Sequence, residues 1–168
     1  MSTVDPLVAA TRAVELVAVL TDRGETVATA ESLTAGLLSA TVAGVPGASA
    51  VLRGGLVVYA TDLKATLAGV DARQLTEDGP VAESTAAALA EGARDRCSAT
   101  WGVGLTGVAG PDPQDGHPPG TLFVGIAGPG GTSVVCPAVA GDRWQIRLGA
   151  VEAAVSGLLA HLSIGPAL

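Results

Sequence analysis

Short apolar runs that are typical of buried strands alternate along this chain with longer segments of helical periodicity. This alternation predicts a layered α/β domain, because each face of a sheet needs helices to cover it. The predicted helices span residues 7–20, 34–43, 62–68 and 82–96, and a last one follows a cap at Asp142 and ends near residue 162. The predicted strands span residues 26–30, 56–60, 100–106, 121–127 and 133–139. Because a glycine-rich turn joins the last two strands as a hairpin, we expect a mixed, mostly parallel sheet inside an α/β/α domain.

The hydrophobic core of this domain must be built with very few aromatic side chains. Hydrophobic residues make up 48% of the chain, but aromatic residues make up only 2%, and 23 residues are glycine. We therefore expect Val, Leu and Ala to fill the core, with the glycines allowing close packing. A chain of 168 residues fits a single domain, predicted to span residues 1–168. A domain of this size buries roughly 70% of its unfolded surface.

Charge and hydropathy exclude several classes of partner. The net charge is -7 and no basic stretch is present, which argues against binding to nucleic acid. The first residues lack the features of a signal peptide, and no apolar run is predicted to be long enough to cross a bilayer. We therefore expect a cytoplasmic protein with no nucleic-acid or membrane partner. Because only 15% of residues are charged and one helix face is rich in Val and Ala, we also expect a homo-oligomer.

Residues that could bind a metal or a dinucleotide are scattered or poorly placed. Cys97 and Cys136 form no CxxC pair and are predicted to be reduced thiols. His117, in a loop, and His161, near the end of the last helix, are also far apart, so no metal site is predicted. Residues 102–107 match GxGxxG, but we reject this motif as a dinucleotide site because it lies within a predicted strand and no helix follows.

Lys64 is the only lysine of the chain, and Tyr59, five residues earlier, is the only tyrosine. Both lie at or just after the end of a predicted strand. Burial can remove the proton of a lysine and make it a base, which it cannot do for arginine. Lys64 is therefore a candidate general base. The alternative interpretation is a solvated lysine at the start of a helix.

Ser32 lies where a predicted strand passes into a predicted helix. Free backbone N–H groups at such a corner suit an anion or a developing oxyanion. A serine hydroxyl needs a base to become a nucleophile, and a desolvated lysine can serve. Since the carboxyl ends of parallel strands share one edge of a sheet, Ser32 and Lys64 could meet there. The alternative is helix capping by Ser32 or Thr34.

Arg143 and Arg147 are four residues apart, so they share one face of the last predicted helix. Two arginines near a helix N-terminus can bind a phosphate through charge-assisted hydrogen bonds. The alternative is an ordinary solvated face with Asp142 as the cap.

Five segments, in this order, resemble motifs of the CinA C-terminal domain family. Residues 29–36 (TAESLTAG) resemble TAESCTGG, and residues 54–64 (GGLVVYATDLK) resemble a segment with the pattern GxxxYxxxxK. Residues 105–111 (LTGVAGP) resemble TGIAGP, residues 119–121 (PGT) resemble KPxGT, and residues 141–147 (GDRWQIR) resemble GDRxxxR. The resemblance covers about residues 5–163, and since these residues match none of the amino-terminal molybdopterin-binding-like domain of full-length CinA, we expect the stand-alone form of the family.

The resemblance implies an enzyme that hydrolyses nicotinamide mononucleotide to nicotinic acid mononucleotide and ammonia. It implies Ser32 as the nucleophile, Lys64 as its base and Tyr59 as an assisting residue, with no metal and no organic cofactor. The oxyanion is then expected to be held by N–H groups at the start of the 34–43 helix. The residues implied to bind the nucleotide substrate are Glu31, Thr34, Gly36, Thr106, Gly107, Arg143 and Arg147.

This chain departs from the family motifs at several positions. Leu33 replaces a Cys, Ala35 replaces a Gly and Ala82 replaces a Ser, and either His117 or Pro118 aligns with the lysine of KPxGT. We expect the Ala35 methyl group to crowd a close backbone approach. The alternatives to an active amidase are a nucleotide-binding relative without turnover and a hydrolase of a different carboxamide.

Overall fold

The computed structural model describes residues 5–164, which form a five-stranded sheet covered by helices on both faces. The strands are β1 (Val27–Glu31), β2 (Leu52–Val57), β3 (Trp101–Gly107), β4 (Leu122–Gly128) and β5 (Gly131–Val135). The helices are α1 (Pro6–Ala9), α2 (Ala13–Arg23), α3 (Leu37–Ala43), α4 (Thr61–Thr66), α5 (Ala72–Asp78), α6 (Glu83–Arg96) and α7 (Arg143–Ile164).

The sheet is mixed, with the strand order β2-β1-β3-β4-β5. β1 pairs in parallel with both β2 and β3, whereas β4 is antiparallel to β3 and to β5. β4 is therefore the only one of these strands that runs against the others. The predicted fold class is confirmed, and the carboxyl ends of β1, β2 and β3 lie together at one edge of the sheet.

Two clusters of apolar side chains lie on opposite faces of the sheet. The larger cluster joins α2, α3 and α7 to side chains of β3 and β4. The smaller cluster joins α4, α5 and α6 to β1 and the residues after β2. On this second face glycines bring α6 unusually close to the sheet, because a methyl group on Gly104 or Gly125 would overlap the Ala86 carbonyl group. The GxGxxG match thus lies inside β3, where it serves packing.

Several predicted boundaries are wrong for local reasons. The 7–20 helix is interrupted between Ala9 and Ala13, where the Thr11 hydroxyl bonds to the backbone in place of a continuous helix. The 34–43 helix begins only at Leu37, because the turn before it is left-handed. The α5 helix was not predicted, although Asp71 caps it by accepting a 2.7 Å hydrogen bond from the Arg73 N–H.

The two outer strands were also misplaced. β2 was expected at residues 56–60 but spans Leu52–Val57, since two glycines in its middle hide the strand pattern in the sequence. A side chain at Gly55 would overlap the Ser39 hydroxyl, so this glycine permits close packing of α3 on the strand. β5 ends at Val135, four residues before the end of the predicted strand at residue 139.

The last helix corrects the expectation that no segment is long and apolar enough to cross a bilayer. Residues 143–163 of α7 meet that criterion by length and hydropathy. The reason is a role in the core, because one face of α7, including Val151, Val155 and Leu158, is fully covered by the sheet and by α2 and α3. Asp142 caps the helix as predicted, and it exchanges hydrogen bonds of 2.8 and 2.9 Å with Gln145.

Candidate active site

A cleft of roughly 540 Å³, including its open mouth, lies at the carboxyl ends of β1, β2 and β3. This position at the strand ends is typical of ligand sites in open α/β sheets. Its walls come from five segments: the turn after β1, the residues from Tyr59 to α4, the segment before α6, the end of β3 with the loop after it, and the start of α7. The lining residues are Ser32, Leu33, Tyr59, Thr61, Lys64, Pro80, Val81, Thr106, Gly107, Val108, Ala109, Gly110, Asp112, Gln114 and Arg143.

Ser32 and Lys64 meet at the floor of this cleft. Lys64 is only 2% exposed and Ser32 only 9% exposed, and the distance from Lys64 Nζ to Ser32 Oγ is 3.2 Å. Nζ also lies 2.9 Å from the Val58 carbonyl oxygen and 3.5 Å from that of Tyr59. Among residues 5–164 no carboxylate forms an ion pair with Lys64. Desolvation by burial therefore lowers the pKa of this lysine.

The same geometry suits a neutral amine. A neutral lysine has two N–H donors and one lone pair. The carbonyl oxygens of Val58 and Tyr59 can accept from both donors, which leaves the lone pair to accept the hydroxyl hydrogen of Ser32. Ser32 is thereby placed to act as a nucleophile with Lys64 as its base.

Glu31 lies outside the cleft lining, although it was predicted to bind substrate. Its side chain is fully buried and accepts hydrogen bonds of 2.8–3.0 Å from the N–H groups of Gly36, Leu38 and Ser39. The hydroxyls of Thr29 and Ser39 donate to it as well. The start of α3 is thus already occupied by a carboxylate. The N–H groups of Gly36, Leu38 and Ser39 are therefore not free to hold an oxyanion, which corrects the expectation for these three groups. The N–H of Thr34, the first residue of the predicted helix, has no acceptor within the described residues.

The turn between β1 and α3 holds Thr34 and Gly36, two residues that were predicted to bind substrate. Thr34 is fully buried, and its hydroxyl has no hydrogen-bond partner among the described residues. Gly36 has a φ of +94° and donates its N–H to Glu31. Neither residue lines the cleft, although both belong to the turn that follows Ser32.

Thr106 and Gly107, also predicted to bind substrate, do line the cleft at the end of β3. Thr106 is 1% exposed, and its hydroxyl donates to the Pro80 carbonyl oxygen at 2.5 Å. This bond ties β3 to the segment before α6, which forms another wall. A side chain at Gly107 would overlap the Thr121 carbonyl oxygen, so glycine allows the two strands to approach closely here.

The two arginines of α7 have different surroundings. Arg143 is exposed at the cleft mouth, where it donates to the Gly110 carbonyl oxygen at 2.6 Å and to the Tyr59 hydroxyl at 2.9 Å. Arg147 does not line the cleft and donates to the carbonyl oxygens of Leu33 and Thr34, both at 3.0 Å. Tyr59 thus faces Arg143 with its hydroxyl and approaches Lys64 only through its carbonyl oxygen.

Other cleft residues were not found by sequence reasoning. Asp112 and Gln114, on the long loop after β3, are exposed at the mouth, and Pro80 and Val81 form an apolar wall. The only sequence signal for the loop was its proline and glycine content. His117 and Pro118, the positions aligned with a family lysine, lie outside the cleft lining, and His117 instead forms a bridge with Gln114.

The three departures from the family motifs affect the structure in different ways. Leu33 is buried and forms part of the cleft wall. The expected crowding by Ala35 is wrong, because its side chain is exposed; the cost of the residue is instead a left-handed φ of +49° that glycine tolerates better. Ala82 is the N-cap residue of α6 and provides no side-chain cap, so the missing hydroxyl is that of a helix cap.

The remaining cysteines and histidines form no cluster with the site. Cys97 and Cys136 are both unpaired in the part of the chain that the structure describes. His161 lies 2.7 Å from the Ser133 hydroxyl and 2.8 Å from the Gly157 carbonyl oxygen, far along the chain from the cleft residues. Within residues 5–164 no group of three or more His, Cys, Asp or Glu residues is arranged to hold a metal ion.

The chain is similar to known proteins in both sequence and fold. A sequence profile of the CinA C-terminal domain matches residues 9–162. The chain belongs to the CinA C-terminal domain family. This CinA domain is 51% identical to a CinA-like protein of Frankia casuarinae over 136 residues, which are 81% of this chain and 31% of that protein. It is 46% identical to a putative competence-damage inducible protein of Streptococcus pneumoniae over 126 residues, 74% of this chain and 30% of that protein.

The CinA domain thus spans about a third of the length of these relatives. Among solved structures, the competence/damage inducible protein CihA from Agrobacterium tumefaciens superposes with a TM-score of 0.87 at 32% identity, covering 97% of this chain and 99% of that one. The sequence match therefore establishes the family of this chain, and the superposition establishes its fold. The names of these relatives state no reaction and no substrate.

Proposed function

We propose that this CinA domain hydrolyses the carboxamide of nicotinamide mononucleotide to nicotinic acid mononucleotide and ammonia. One observation carries the proposal: the buried Lys64, without a carboxylate partner, has its Nζ 3.2 Å from the hydroxyl of Ser32 at the floor of a cleft. An isolated buried amine is costly, and perturbed groups of this kind are concentrated at functional sites. The pairing supports acyl transfer through a serine ester.

The reaction begins with neutral Lys64. Its lone pair takes the hydroxyl proton of Ser32 as Ser32 Oγ attacks the carboxamide carbon, and the carbonyl oxygen becomes an oxyanion. The proton then passes from Lys64 to the departing nitrogen, the C–N bond breaks, and ammonia leaves. Water, activated by the same amine, attacks the Ser32 ester and releases the carboxylic acid. As proposed, the reaction uses only side chains, backbone groups and water.

The choice of a nucleotide substrate rests on the family resemblance and on the cleft mouth. Arg143 lies at the mouth, within 2.9 Å of the Tyr59 hydroxyl, and can offer charge-assisted hydrogen bonds to a phosphate. The net charge of -7 repels an anionic substrate at long range. Local recognition by Arg143 must therefore outweigh the overall field.

Cytoplasmic location and homo-oligomer formation remain predictions. Light scattering of the purified domain would test the second of them.

The test of this function is ammonia release from nicotinamide mononucleotide by the purified domain. Nicotinamide riboside, which lacks the phosphate, serves as the matched substrate, and Ser32→Ala protein purified in the same way measures contaminating activity. Release from the mononucleotide in excess of the riboside supports the proposal. Binding of the mononucleotide by calorimetry without ammonia release would instead indicate a nucleotide-binding protein. Equal release from both substrates would indicate a hydrolase that does not recognise the phosphate.

A further inference from the structure

Arg147 binds the backbone directly after Ser32 although it stands apart from the cleft. Its Nε donates to the Leu33 carbonyl oxygen and its Nη2 to the Thr34 carbonyl oxygen, each at 3.0 Å. The guanidinium group also lies 6.0 Å from the ring centroid of Trp144 on the same helix. Only a planar group with several donors can hold two successive carbonyls in this way. Arg143 also donates two hydrogen bonds, but it is exposed and lines the cleft, whereas Arg147 is half-buried and does not line it.

The carbonyl groups of Ser32, Leu33 and Thr34, in the turn after Ser32, are held by the protein. The Ser32 carbonyl accepts from the Ala35 N–H at 3.1 Å, and the Thr34 carbonyl accepts from the Leu37 N–H at 3.0 Å in addition to Arg147. The Ser32 N–H is also committed, because it donates to the Leu105 carbonyl oxygen at 3.0 Å. Hydrogen bonds to these three carbonyl groups therefore fix the orientation of the three peptide groups.

The N–H groups of Leu33 and Thr34 differ from those of Ser32 and Ala35, because within the described residues neither has a hydrogen-bond acceptor. Of these two residues only Leu33 lines the cleft, beside Ser32. In a trans peptide the N–H points opposite to the carbonyl of the preceding residue. Since the Ser32 carbonyl is turned toward Ala35, the Leu33 N–H is directed away from it. The residue after a nucleophilic serine is a common source of an oxyanion-binding N–H.

We infer that Arg147 is a positioning residue: its bond to the Thr34 carbonyl fixes the peptide group whose Ala35 N–H holds the Ser32 carbonyl, so that the backbone N–H of Leu33 faces the cleft as the oxyanion donor. The inference rests on the proposed function for its substrate, and it replaces the start of α3 as the source of oxyanion binding. It also assigns the two arginines of α7 to different tasks. Arg143 is the group available to a phosphate, and Arg147 holds the backbone next to the reacting atoms.

The first experiment compares Arg147→Ala and Arg147→Lys with Arg143→Ala, on both nicotinamide mononucleotide and nicotinamide riboside. Loss of the two hydrogen bonds of Arg147 is expected to lower kcat by about 10²-fold, which is the effect of losing one oxyanion donor. KM should change little, and kcat should fall by the same factor for both substrates. Arg147→Lys, which can reach one carbonyl, is expected to fall between wild type and Arg147→Ala. Arg73→Ala, a change of an exposed arginine on α5, is the control and should keep full activity.

The inference is overturned if Arg147→Ala raises KM for the mononucleotide alone, since that result would make Arg147 a phosphate ligand. It is also overturned if kcat is unchanged. Thermal unfolding of each variant identifies a loss of folding. If Arg147→Ala does not fold, the kcat of Arg147→Lys tests the inference instead. A kcat equal to that of wild type would overturn it, because catalysis would then not need both hydrogen bonds of Arg147.

A second experiment keeps the inference separate from the choice of substrate. A fluorophosphonate reacts with an activated serine: Ser32 Oγ forms a bond to phosphorus, the P–F bond breaks, fluoride leaves, and Lys64 takes the hydroxyl proton. The phosphonyl oxygen then occupies the oxyanion position. Wild type should be labelled at Ser32 even if nicotinamide mononucleotide is not its substrate, and Arg147→Ala should be labelled about 10²-fold more slowly. Equal labelling rates, or no labelling of wild type at Ser32, would overturn the inference.

Discussion

The floor and the mouth of the cleft differ in how far their groups are fixed before any substrate arrives. The floor consists of Ser32, Lys64 and Thr106, each at most 9% exposed and each hydrogen-bonded within the protein. The mouth consists of Tyr59, Asp112, Gln114 and Arg143, which are all exposed to solvent. A fixed, dry floor suits transition-state stabilisation, whereas an exposed polar mouth suits substrate recognition. Changes at the floor should therefore alter kcat, and changes at the mouth should alter KM.

The largest expected effect comes from removing either partner at the floor. Ser32→Ala and Lys64→Met should each lower kcat for nicotinamide mononucleotide by about 10²–10⁴-fold, because nucleophile and base act as one unit. The double variant should be no worse than the single ones. Ammonia release measures the rates, and Ser156→Ala, a serine on the far part of α7, is the matched control. A double variant whose loss equals the product of the two single losses would mean that the two residues act independently.

A smaller effect is expected at the mouth. Arg143→Ala should raise KM for nicotinamide mononucleotide by about 10–100-fold with little change in kcat, since a charge-assisted hydrogen bond contributes about 1.5–3 kcal/mol. KM for nicotinamide riboside should stay the same. Tyr59→Phe, which removes the hydroxyl that Arg143 contacts, is the control for loss of that contact alone. An equal rise in KM for both substrates would show that Arg143 does not recognise the phosphate.

The pH dependence of activity should reflect the titration of Lys64 at the cleft floor. Burial lowers the pKa of Lys64 from its ordinary value of 10.5, and the reaction needs the neutral amine. Activity should thus fall as pH decreases through this lowered pKa, by about tenfold per pH unit. A profile of kcat/KM against pH measures the midpoint, which should lie below 10.5 in wild type and stay unchanged in Arg143→Ala. A midpoint at or above the ordinary lysine value would contradict a desolvated base.

The lowered pKa of Lys64 also affects the pH dependence of stability, in the direction opposite to that of a lysine in a salt bridge, whose pKa is raised. In the pH range between the folded and unfolded pKa values of Lys64, the unfolded chain binds more protons than the folded one. The free energy of unfolding of wild type, relative to that of Lys64→Met, should therefore rise as pH increases through this range. Urea unfolding of both proteins across that range measures the difference, and a constant difference would show that Lys64 titrates normally when folded.

The smallest expected effect is at Ala82, outside both regions. Ala82→Ser should raise the free energy of unfolding by about 0.5–2 kcal/mol, because it supplies the missing N-cap of α6. Catalytic rates should not change, since Ala82 does not line the cleft. Urea unfolding and ammonia release together check this prediction. A gain in activity without a gain in stability would show that the lost hydroxyl belongs to the site.

The meeting of Ser32 and Lys64 could be foreseen from the sequence because it depends on topology. Both residues follow strands, and the carboxyl ends of parallel neighbours share one edge. The binding of the α3 N-terminus by Glu31 could not be foreseen, since the direction of a buried carboxylate depends on tertiary packing. The same holds for the division of tasks between Arg143 and Arg147, which the sequence presents as an equivalent pair.

Elements with weak patterns were the ones that sequence reasoning placed badly. Arg53, Gly54 and Gly55 in the middle of β2 hide the strand pattern, and the packing of Gly55 against Ser39 explains the second glycine. The cleft residues Asp112 and Gln114 lie on a loop whose path no periodicity describes. Local patterns therefore located the chemistry of the floor and two residues of the mouth, Tyr59 and Arg143, whereas the place of Asp112 and Gln114 depends on tertiary structure.

The central claim is that the reaction passes through an ester on Ser32. The most direct measurement is peptide mass spectrometry of wild type quenched during the first turnovers of nicotinamide mononucleotide, with hydroxylamine added in parallel to intercept the ester. The account predicts a nicotinic acid mononucleotide adduct on the peptide that contains Ser32, or its hydroxamate in the trapped sample, and neither product with Ser32→Ala. Sustained ammonia release with an unmodified Ser32 and no hydroxamate would contradict it.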